Sequence, residues 1–201
     1  MLDANLVDSF NIDWNSPKPN CQSCTECKLA KKPFPKEARM RAIRPGQRTY
    51  FDLWGKCCVT SLHRNQYFMM IVDNNSWYVM VEPLKKKGDA NQHIKNHLTY
   101  LENHGKRPES IQIDEGKEFN NQDLRDWCWS KGIKIEMTAP DLSSQNGVAK
   151  QMNWTIVELE CTMLRARNIL LYLWDFAVIY AAYIRNWTHI RALKGTTPYQ
   201  I

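Results

Sequence analysis

The sequence predicts an α/β protein in which helices flank a mixed five-stranded sheet, preceded by a short cysteine-containing arm. Two patterns carry this prediction. Five short apolar or alternating runs are typical of strands, and four longer segments have apolar residues every three or four positions, as helices do. Three successive strands joined by turns favour antiparallel pairing, whereas strands separated by helices favour parallel pairing, so one sheet should contain both.

The strands are predicted from apolar runs that are bounded by turn-forming residues. The first three follow one another directly, with turns at Arg64-Asn65 and Asp73-Asn74-Asn75 between them. The other two are short and lie between helices. The five predicted strands are 49–54, 66–72, 77–84, 110–114 and 133–138.

Four segments have helical periodicity. In the first, apolar residues between Ile94 and Leu101 recur at helical spacing, and His104-Gly105 is typical of a helix end. The third is the longest, with an apolar stripe that runs from Val148 to Ala166. The four predicted helices are 90–103, 122–131, 148–166 and 172–187.

The composition excludes several classes of protein. With 8 Trp, 8 Tyr and 6 Phe in 201 residues, the chain carries too much apolar surface for a disordered protein. Its longest apolar run, 169–184, contains Asp175 and is shorter than the ~20 residues that cross a bilayer, so no membrane partner is expected. The first residues lack a signal-peptide pattern and the cysteine number, 7, is odd, which predicts reduced thiols in the nucleus or cytoplasm.

Positive charge is concentrated in one segment. The formal net charge is +6, and 28–48 alone holds eight Lys and Arg against the single acid Glu37, together with three prolines. The prolines make a helix unfavourable in this segment, and the clustered charge favours an extended arm that lies along the phosphate backbone of a nucleic acid. A solvated linker is the alternative. If the arm binds nucleic acid, the candidate contacts are Lys28, Lys31, Lys32, Arg39 and Arg41.

Two acids occupy positions where a carboxylate is costly. Asp52 lies within the first predicted strand (TYFDLW), and Asp114 lies at the end of the fourth (IQIDEG). A carboxylate in an apolar strand needs a partner, and a divalent cation is a common one. If the two strands are neighbours, both carboxylates could share the pair of metal ions that catalyses phosphoryl transfer. The alternative is that each acid only caps a strand or a turn.

Longer strings around these acids form a recognisable pattern. FDLWG surrounds Asp52, IDEGKEFNN contains Asp114, TAPDLSSQNGVAKQMNWTIVE leads into the long helix, and TPYQ lies near the end. Together with YFMMIVDNNSWYVMVEPLKKK, these strings resemble the integrases of copia-type retrotransposons, which are RNase H-like polynucleotidyl transferases. The resemblance covers residues 21–201. It implies an RNase H-like fold, metal-dependent 3′-end processing and strand transfer of retroelement DNA, and assembly into homo-oligomers.

The resemblance also implies a catalytic triad of two aspartates and one glutamate, with 35 residues between the last two. Asp52 and Asp114 match the aspartates, so the glutamate position is 150, where this chain has Lys150. In the family the triad holds Mg²⁺ or Mn²⁺, whereas an ammonium offers donors only and repels a cation. We therefore expect Lys150 to pair with the two aspartates, metal binding at Asp52 and Asp114 to be weak, and catalysis to be impaired.

The three cysteines at Cys21, Cys24 and Cys27 match part of a zinc knuckle. Cys21 and Cys24 fit the C-x2-C pattern of the family, and the resemblance implies two histidine ligands upstream. Residues 1–20 contain no histidine, although tetrahedral Zn²⁺ takes four ligands. The sequence therefore predicts an incomplete zinc site at Cys21 and Cys24. The alternative is that Cys27 and a ligand from elsewhere complete it.

Gln145 and Asn146 precede the long helix and complete, with Lys150, the predicted nucleic-acid contacts. In the family this junction lies beside the DNA end, and amide side chains suit contacts with phosphates or base edges. Capping of the helix is the alternative, and both roles can coexist.

His93 and His97 are four residues apart on the first predicted helix, a spacing that can hold zinc on one helix face. The helix lacks the glutamate that such zinc motifs carry after the first histidine, because the run reads HIKNH. We interpret both histidines as members of a solvated helix face.

The sequence thus predicts two parts. Residues 1–48 form a tail with a truncated zinc knuckle and the basic arm, and residues 49–201 form an integrase core-like domain. The predicted function is nucleic-acid binding, to DNA or RNA, by an integrase core with impaired catalysis. Two alternatives stay open: an active nuclease or strand transferase that uses two carboxylates, and a multimerising interaction module that binds no DNA.

Overall fold

The computed structural model describes residues 41–114, 121–138 and 147–201. These residues form one sheet of five strands: β1 (Arg48–Gly55), β2 (Tyr67–Asp73), β3 (Val79–Leu84), β4 (Ser110–Asp114) and β5 (Lys134–Thr138). The spatial order is β3-β2-β1-β4-β5. β2 pairs antiparallel with β1 and β3, whereas β4 pairs parallel with β1 and β5. The predicted mixed five-stranded sheet is therefore confirmed.

The described residues also form four α-helices, which cover both faces of the sheet: α1 (Ala90–Asn103), α2 (Gln122–Ser130), α3 (Gly147–Ala166) and α4 (Trp174–Trp187). Successive strand residues point to opposite faces. Phe51 and Met69 therefore pack in the core formed with α1 and α2, whereas Tyr50 and Met70 pack in the core formed with α3 and α4. Full burial of each such side chain contributes roughly 1.5–3 kcal/mol.

The strand directions bring four strand ends together. β1, β3, β4 and β5 run the same way, so their last residues lie along one end of the sheet, called here the C-terminal end. β1 finishes there at Gly55, whose φ is +115°. A Cβ at this position would lie 2.9 Å from the carbonyl oxygen of Gln66, so only glycine fits where the chain leaves the sheet.

Three local predictions differ from the structure. β3 begins at Val79 rather than at 77, because Trp77 has a left-handed backbone (φ +60°) and its N–H donates to the Asp73 carbonyl at 3.0 Å. Residues 171–173 form a 3₁₀ turn before α4 rather than its first helical turn. Ala166, which we expected in the buried stripe of the long helix, is exposed because α3 ends there.

The prediction that His97 is solvated is wrong. His97 lies on the face of α1 that also carries Ile94 and Leu98, and it is buried against the sheet. Its ring meets Phe51 edge to face, with centroids 5.7 Å apart. Burial lowers the pKa of His97 from 6.5 to about 4, because the charged imidazolium loses its hydration; the negative charge of Asp73 opposes this shift.

Several predicted site residues lie outside the part of the chain that the structure describes: Cys21, Cys24, Lys28, Lys31, Lys32, Arg39, Gln145 and Asn146. Arg41 is described. Its guanidinium donates to the carbonyl oxygens of Ala192 (3.2 Å) and Asn75 (3.1 Å). Within the described ranges, none of the helices has the length and apolar character that a bilayer crossing requires.

Candidate active site at the C-terminal end of the sheet

The two predicted acids lie side by side on neighbouring strands. The parallel pairing of β1 with β4 is recorded at Thr49 opposite Ile111 and at Tyr50 opposite Gln112. Continued in the same register, Asp52 stands opposite Asp114, two residues beyond the last recorded pair. Opposed residues of parallel strands point to the same face, which here is the face covered by α3. β1 and β4 are therefore neighbours, which is the condition under which the sequence predicts that the two carboxylates converge.

Asp52 is a buried carboxylate held by an amide. It is 7% exposed, and the side-chain nitrogen of Asn153 donates a hydrogen bond to its Oδ2. The pKa of Asp52 is raised from 3.8 to about 6, chiefly because burial strips water from the charged form. The hydrogen bond from Asn153 opposes this rise, and the negative charge of Asp114 adds to it.

Lys150 contributes a positive charge to the same site. It lies in the first turn of α3, is exposed, and stands beside the buried Ala149. Its ammonium lowers the pKa of Asp52 through charge and so favours the ionised carboxylate. Within the described residues, Asp52 accepts its side-chain hydrogen bond from Asn153, and the backbone of Leu53 gives it another hydrogen bond. Among the described residues, this site therefore has two carboxylates and one cation, whereas the resemblance implies three carboxylates in the family.

Asn153 is the site residue that sequence reasoning missed. It is 3% exposed, one helical turn beyond Lys150, and its Oδ1 is buried without a hydrogen-bond partner. The signal was available, because Asn153 is a polar residue between Met152 and Ile156 in a stripe that is otherwise apolar. A buried amide in such a stripe needs a polar partner across the interface, and Asp52 supplies it.

The donor set does not fit a centre for two divalent ions. Mg²⁺ prefers oxygen ligands in near-octahedral geometry. Asp52 and Asp114 supply carboxylates, but the third position carries an ammonium with no lone pair to offer. In the part of the chain that the structure describes, no three acidic, histidine or cysteine side chains gather around one point.

A separate cavity lies near the opposite end of the sheet. Its volume is about 340 Å³, and Asp73, His97 and Lys106 are among the residues that line it. Thr49 also lines it, and this residue pairs with Asp73 at the far end of β1 from Asp52. The cavity therefore has no part in the chemistry of the two acids.

The sequence of the chain is similar to that of several known proteins. A protein-family model described as Integrase core domain matches residues 42–142. The retrovirus-related Pol polyprotein from transposon TNT 1-94 of Nicotiana tabacum is 33% identical over 138 residues, which are 68% of this chain and 10% of that protein. The corresponding polyprotein from transposon RE2 of Arabidopsis thaliana is 25% identical over 199 residues, or 97% of this chain and 13% of that protein. The chain thus spans about a tenth of the length of these curated relatives.

Two solved structures show the same fold. The simian T-cell lymphotropic virus intasome in complex with PP2A regulatory subunit B56 gamma superposes with a TM-score of 0.66 at 18% identity, covering 90% of this chain and 62% of that one. The HTLV-2 integrase catalytic core domain in complex with magnesium, in a trimeric form, gives a TM-score of 0.58 at 23% identity, covering 80% and 99%. These likenesses confirm the RNase H-like fold.

Proposed function

Because the chain belongs to the integrase core domain family of retrotransposon Pol polyproteins, we propose that it binds nucleic acid but has lost metal-dependent strand transfer. One observation carries this proposal: Asp52 and Asp114 share their site with the ammonium of Lys150. DNA integration is the function of the family, and the core of this chain keeps the fold that serves it. The lysine changes the charge of the site by two units relative to a glutamate.

The electrostatics support the loss of metal binding. A magnesium ion between two carboxylates would stand close to the positive charge of Lys150, and this repulsion opposes metal binding. The same lysine favours phosphate. It lies exposed at the start of α3, where a nucleic-acid backbone can reach it, so the substitution exchanges a cation site for an anion site.

The remaining predicted contacts extend this surface. Gln145 and Asn146 precede Lys150 in the chain, and the basic segment 28–48 adds the largest block of positive charge. We propose that these residues position DNA on the core, with the arm providing affinity that falls as salt rises. Zinc at Cys21 and Cys24 is not needed for this binding.

A metal titration tests the loss of catalysis. Mn²⁺ binding is measured by electron paramagnetic resonance, and strand transfer is measured on a short DNA duplex. The wild-type protein should bind no manganese at the core and transfer no strands, whereas Lys150→Glu should bind manganese. Lys150→Gln is the matched control, because it removes the charge without adding a ligand. Strand transfer by the wild-type chain with Mn²⁺ would overturn the proposal in favour of an active two-carboxylate enzyme.

We also propose that the core self-associates through the outward face of α4. Phe176, Ile179, Tyr180 and Tyr183 recur at helical spacing and are 46–56% exposed. Single exposed apolar residues are ordinary, but a continuous stripe of this kind marks an interaction surface. A second copy is the occupant we favour, because related integrase cores are described in dimeric and trimeric forms.

A further inference from the structure

We propose that the C-terminal end of the sheet binds an unpaired strand of nucleic acid, with Trp54 stacking on a base and Lys56, Lys85 and Lys86 contacting phosphates. This inference rests on the proposed nucleic-acid binding and adds to it the form of the strand. It also assigns a function to residues outside the two acids and Lys150.

Trp54 is an exposed ring on a rigid support. It lies two residues after Asp52 in β1, on the same face of the sheet, and is 38% exposed. Phe68 is its partner across the β1–β2 pair, and the two rings stack with centroids 6.3 Å apart and planes inclined by 28°. Phe68 in turn packs on Trp174 of α4, with centroids 6.2 Å apart. A ring fixed in this way is preorganised for stacking.

Three lysines follow the ends of two strands at the same end of the sheet as this ring. Lys56 follows the last residue of β1, and Lys85 and Lys86 follow the last residue of β3. All three are exposed. β3 and β1 are separated only by β2, and Trp54, Phe68 and Pro83 lie in one row across the three strands. The backbones of β1 and β3 are thus about 10 Å apart in the sheet, at two strand spacings.

These lysines form no ion pair within the described residues. In the ranges that the structure describes, ion pairs involve basic residues elsewhere, such as Arg44 with Glu109 (2.6 Å) and Lys131 with Glu102 (2.8 Å). Lys56, Lys85 and Lys86 take part in none of the ion pairs of that part of the chain. This end of the sheet therefore has free positive charge beside an aromatic platform, a combination typical of single-strand binding.

The aromatic platform selects an unpaired strand. Inside a duplex, each base is covered above and below by its neighbours, so a protein ring can stack only on a terminal or unpaired base. Lysine contacts with phosphate do not discriminate between strand forms. Because Asp52 precedes Trp54 by two residues, at about 3.3 Å per residue in a strand, a base on Trp54 would lie next to the two acids.

Fluorescence anisotropy with labelled oligonucleotides tests the platform. Single-stranded DNA, a blunt duplex of the same length and single-stranded RNA are titrated with the full chain. Trp54→Ala should weaken single-strand binding at least five-fold and blunt-duplex binding less than two-fold, whereas Trp54→Phe should keep wild-type affinity. Trp129→Ala is the matched control, because Trp129 is 87% exposed on α2. Equal losses for the single strand and the duplex would overturn the inference.

Salt dependence tests the lysines. For single strands the slope of log Kobs against log salt changes by about 0.7 per phosphate contact, so Lys85→Gln with Lys86→Gln should reduce it by about 1.4. The matched control is Lys106→Gln with Lys134→Gln, which removes two exposed charges near the opposite end of the sheet and should leave the slope unchanged. Equal effects of the two pairs would contradict a localised site.

The outcomes separate this inference from the proposed function. If the wild-type chain binds no oligonucleotide at low salt, nucleic-acid binding and the inference both fail. If it binds but the Trp54 and lysine variants behave as their controls do, only the inference fails. Equal affinity for single-stranded DNA and RNA would support recognition of the unpaired strand rather than of the sugar.

Discussion

Burial of the Asp52 carboxyl makes the folded protein less stable at neutral pH. The pKa of this group is about 6 in the folded chain and 3.8 as an ordinary value, so the folded state binds the proton more tightly. The contribution of this group to the free energy of unfolding is therefore fully present below pH 4 and decreases as the pH rises to 6. With two pH units between the two pKa values, the loss is ~3 kcal/mol.

Asp52→Asn should accordingly stabilise the protein. The variant removes the buried charge and should gain up to ~3 kcal/mol in free energy of unfolding at pH 7, with little change at pH 4. Urea unfolding at both pH values measures the difference. Asp126→Asn, at an exposed acid on α2, is the control and should change stability by less than ~0.5 kcal/mol. A loss of stability at pH 7 in Asp52→Asn would contradict the stated cause of the pKa shift.

Asn153→Ala should have the opposite effect. Its amide is the side-chain hydrogen-bond donor to the buried Asp52, and removing it leaves the charged group with fewer hydrogen bonds. We expect a loss of ~1–3 kcal/mol at pH 7 and a further rise in the pKa of Asp52. Carboxyl chemical shifts measured across a pH titration report that pKa. The loss should disappear when Asn153→Ala is made in Asp52→Asn, because the two residues act as a pair.

For individual residues, the sequence predicted which charged groups belong to the site but did not predict the hydrogen-bond partner of Asp52. Asp52 and Asp114 are recognisable because acids are costly in apolar strands, and Lys150 because of its place in the resemblance. The hydrogen bond from Asn153 was not predictable in the same way. It depends on how α3 is rotated against β1, and helical spacing alone does not fix that rotation.

The individual elements were predicted well where periodicity is strong. The bounds of α1 and β4 agree with the prediction, because each has a clear apolar face and a turn or cap at its ends. The errors in the predicted bounds lie where a strand or helix meets a turn. Trp77 begins β3 in the prediction but forms part of the turn in the structure, since its left-handed backbone cannot continue a strand.

His97 shows how a helix face can be misjudged from residue type. Histidine is often solvated, yet position 97 follows Ile94 by three residues and so falls on the buried side of α1. The apolar neighbours of His97 in the sequence predicted the face better than its own polarity did.

His97→Leu should change the pH dependence of stability. The pKa of about 4 lies below the ordinary 6.5, so the folded state loses stability as pH falls from 6.5 to 4. This contribution of ~3 kcal/mol is absent from the variant, so the free energy of unfolding at pH 4 relative to pH 7 should be ~3 kcal/mol higher in His97→Leu than in the wild type. His104→Leu, at an exposed position, should keep the wild-type dependence. An unchanged pH dependence in His97→Leu would show that folding does not shift the pKa of this imidazole.

The arrangement of the strands in the whole molecule could not be predicted from the order of the elements along the chain alone. The sequence predicted a mixed sheet, and parallel pairing of β1 with β4 then places Asp52 opposite Asp114. That β1 lies at the centre of the sheet, between β2 and β4, comes from the three-dimensional pairing and was available in the sequence only through resemblance.

Self-association should depend on the outward face of α4. Ile179→Glu places a charge in the exposed apolar stripe and should convert a wild-type oligomer into monomers, as measured by sedimentation equilibrium. Ile43→Glu is the matched control, because Ile43 is 85% exposed and lies outside α4. A wild-type protein that sediments as a monomer at the highest soluble concentration would exclude this interface.

Buried groups on the two faces of the sheet contribute to stability with opposite pH dependence. Asp52 belongs to the face covered by α3 and His97 to the face covered by α1, and their contributions to stability are similar in size but opposite in sign between pH 4 and 6. Acidification through this window strengthens one layer of the molecule while it weakens the other. These two contributions largely cancel in the intact protein, so their presence would emerge only when one of the two side chains is replaced.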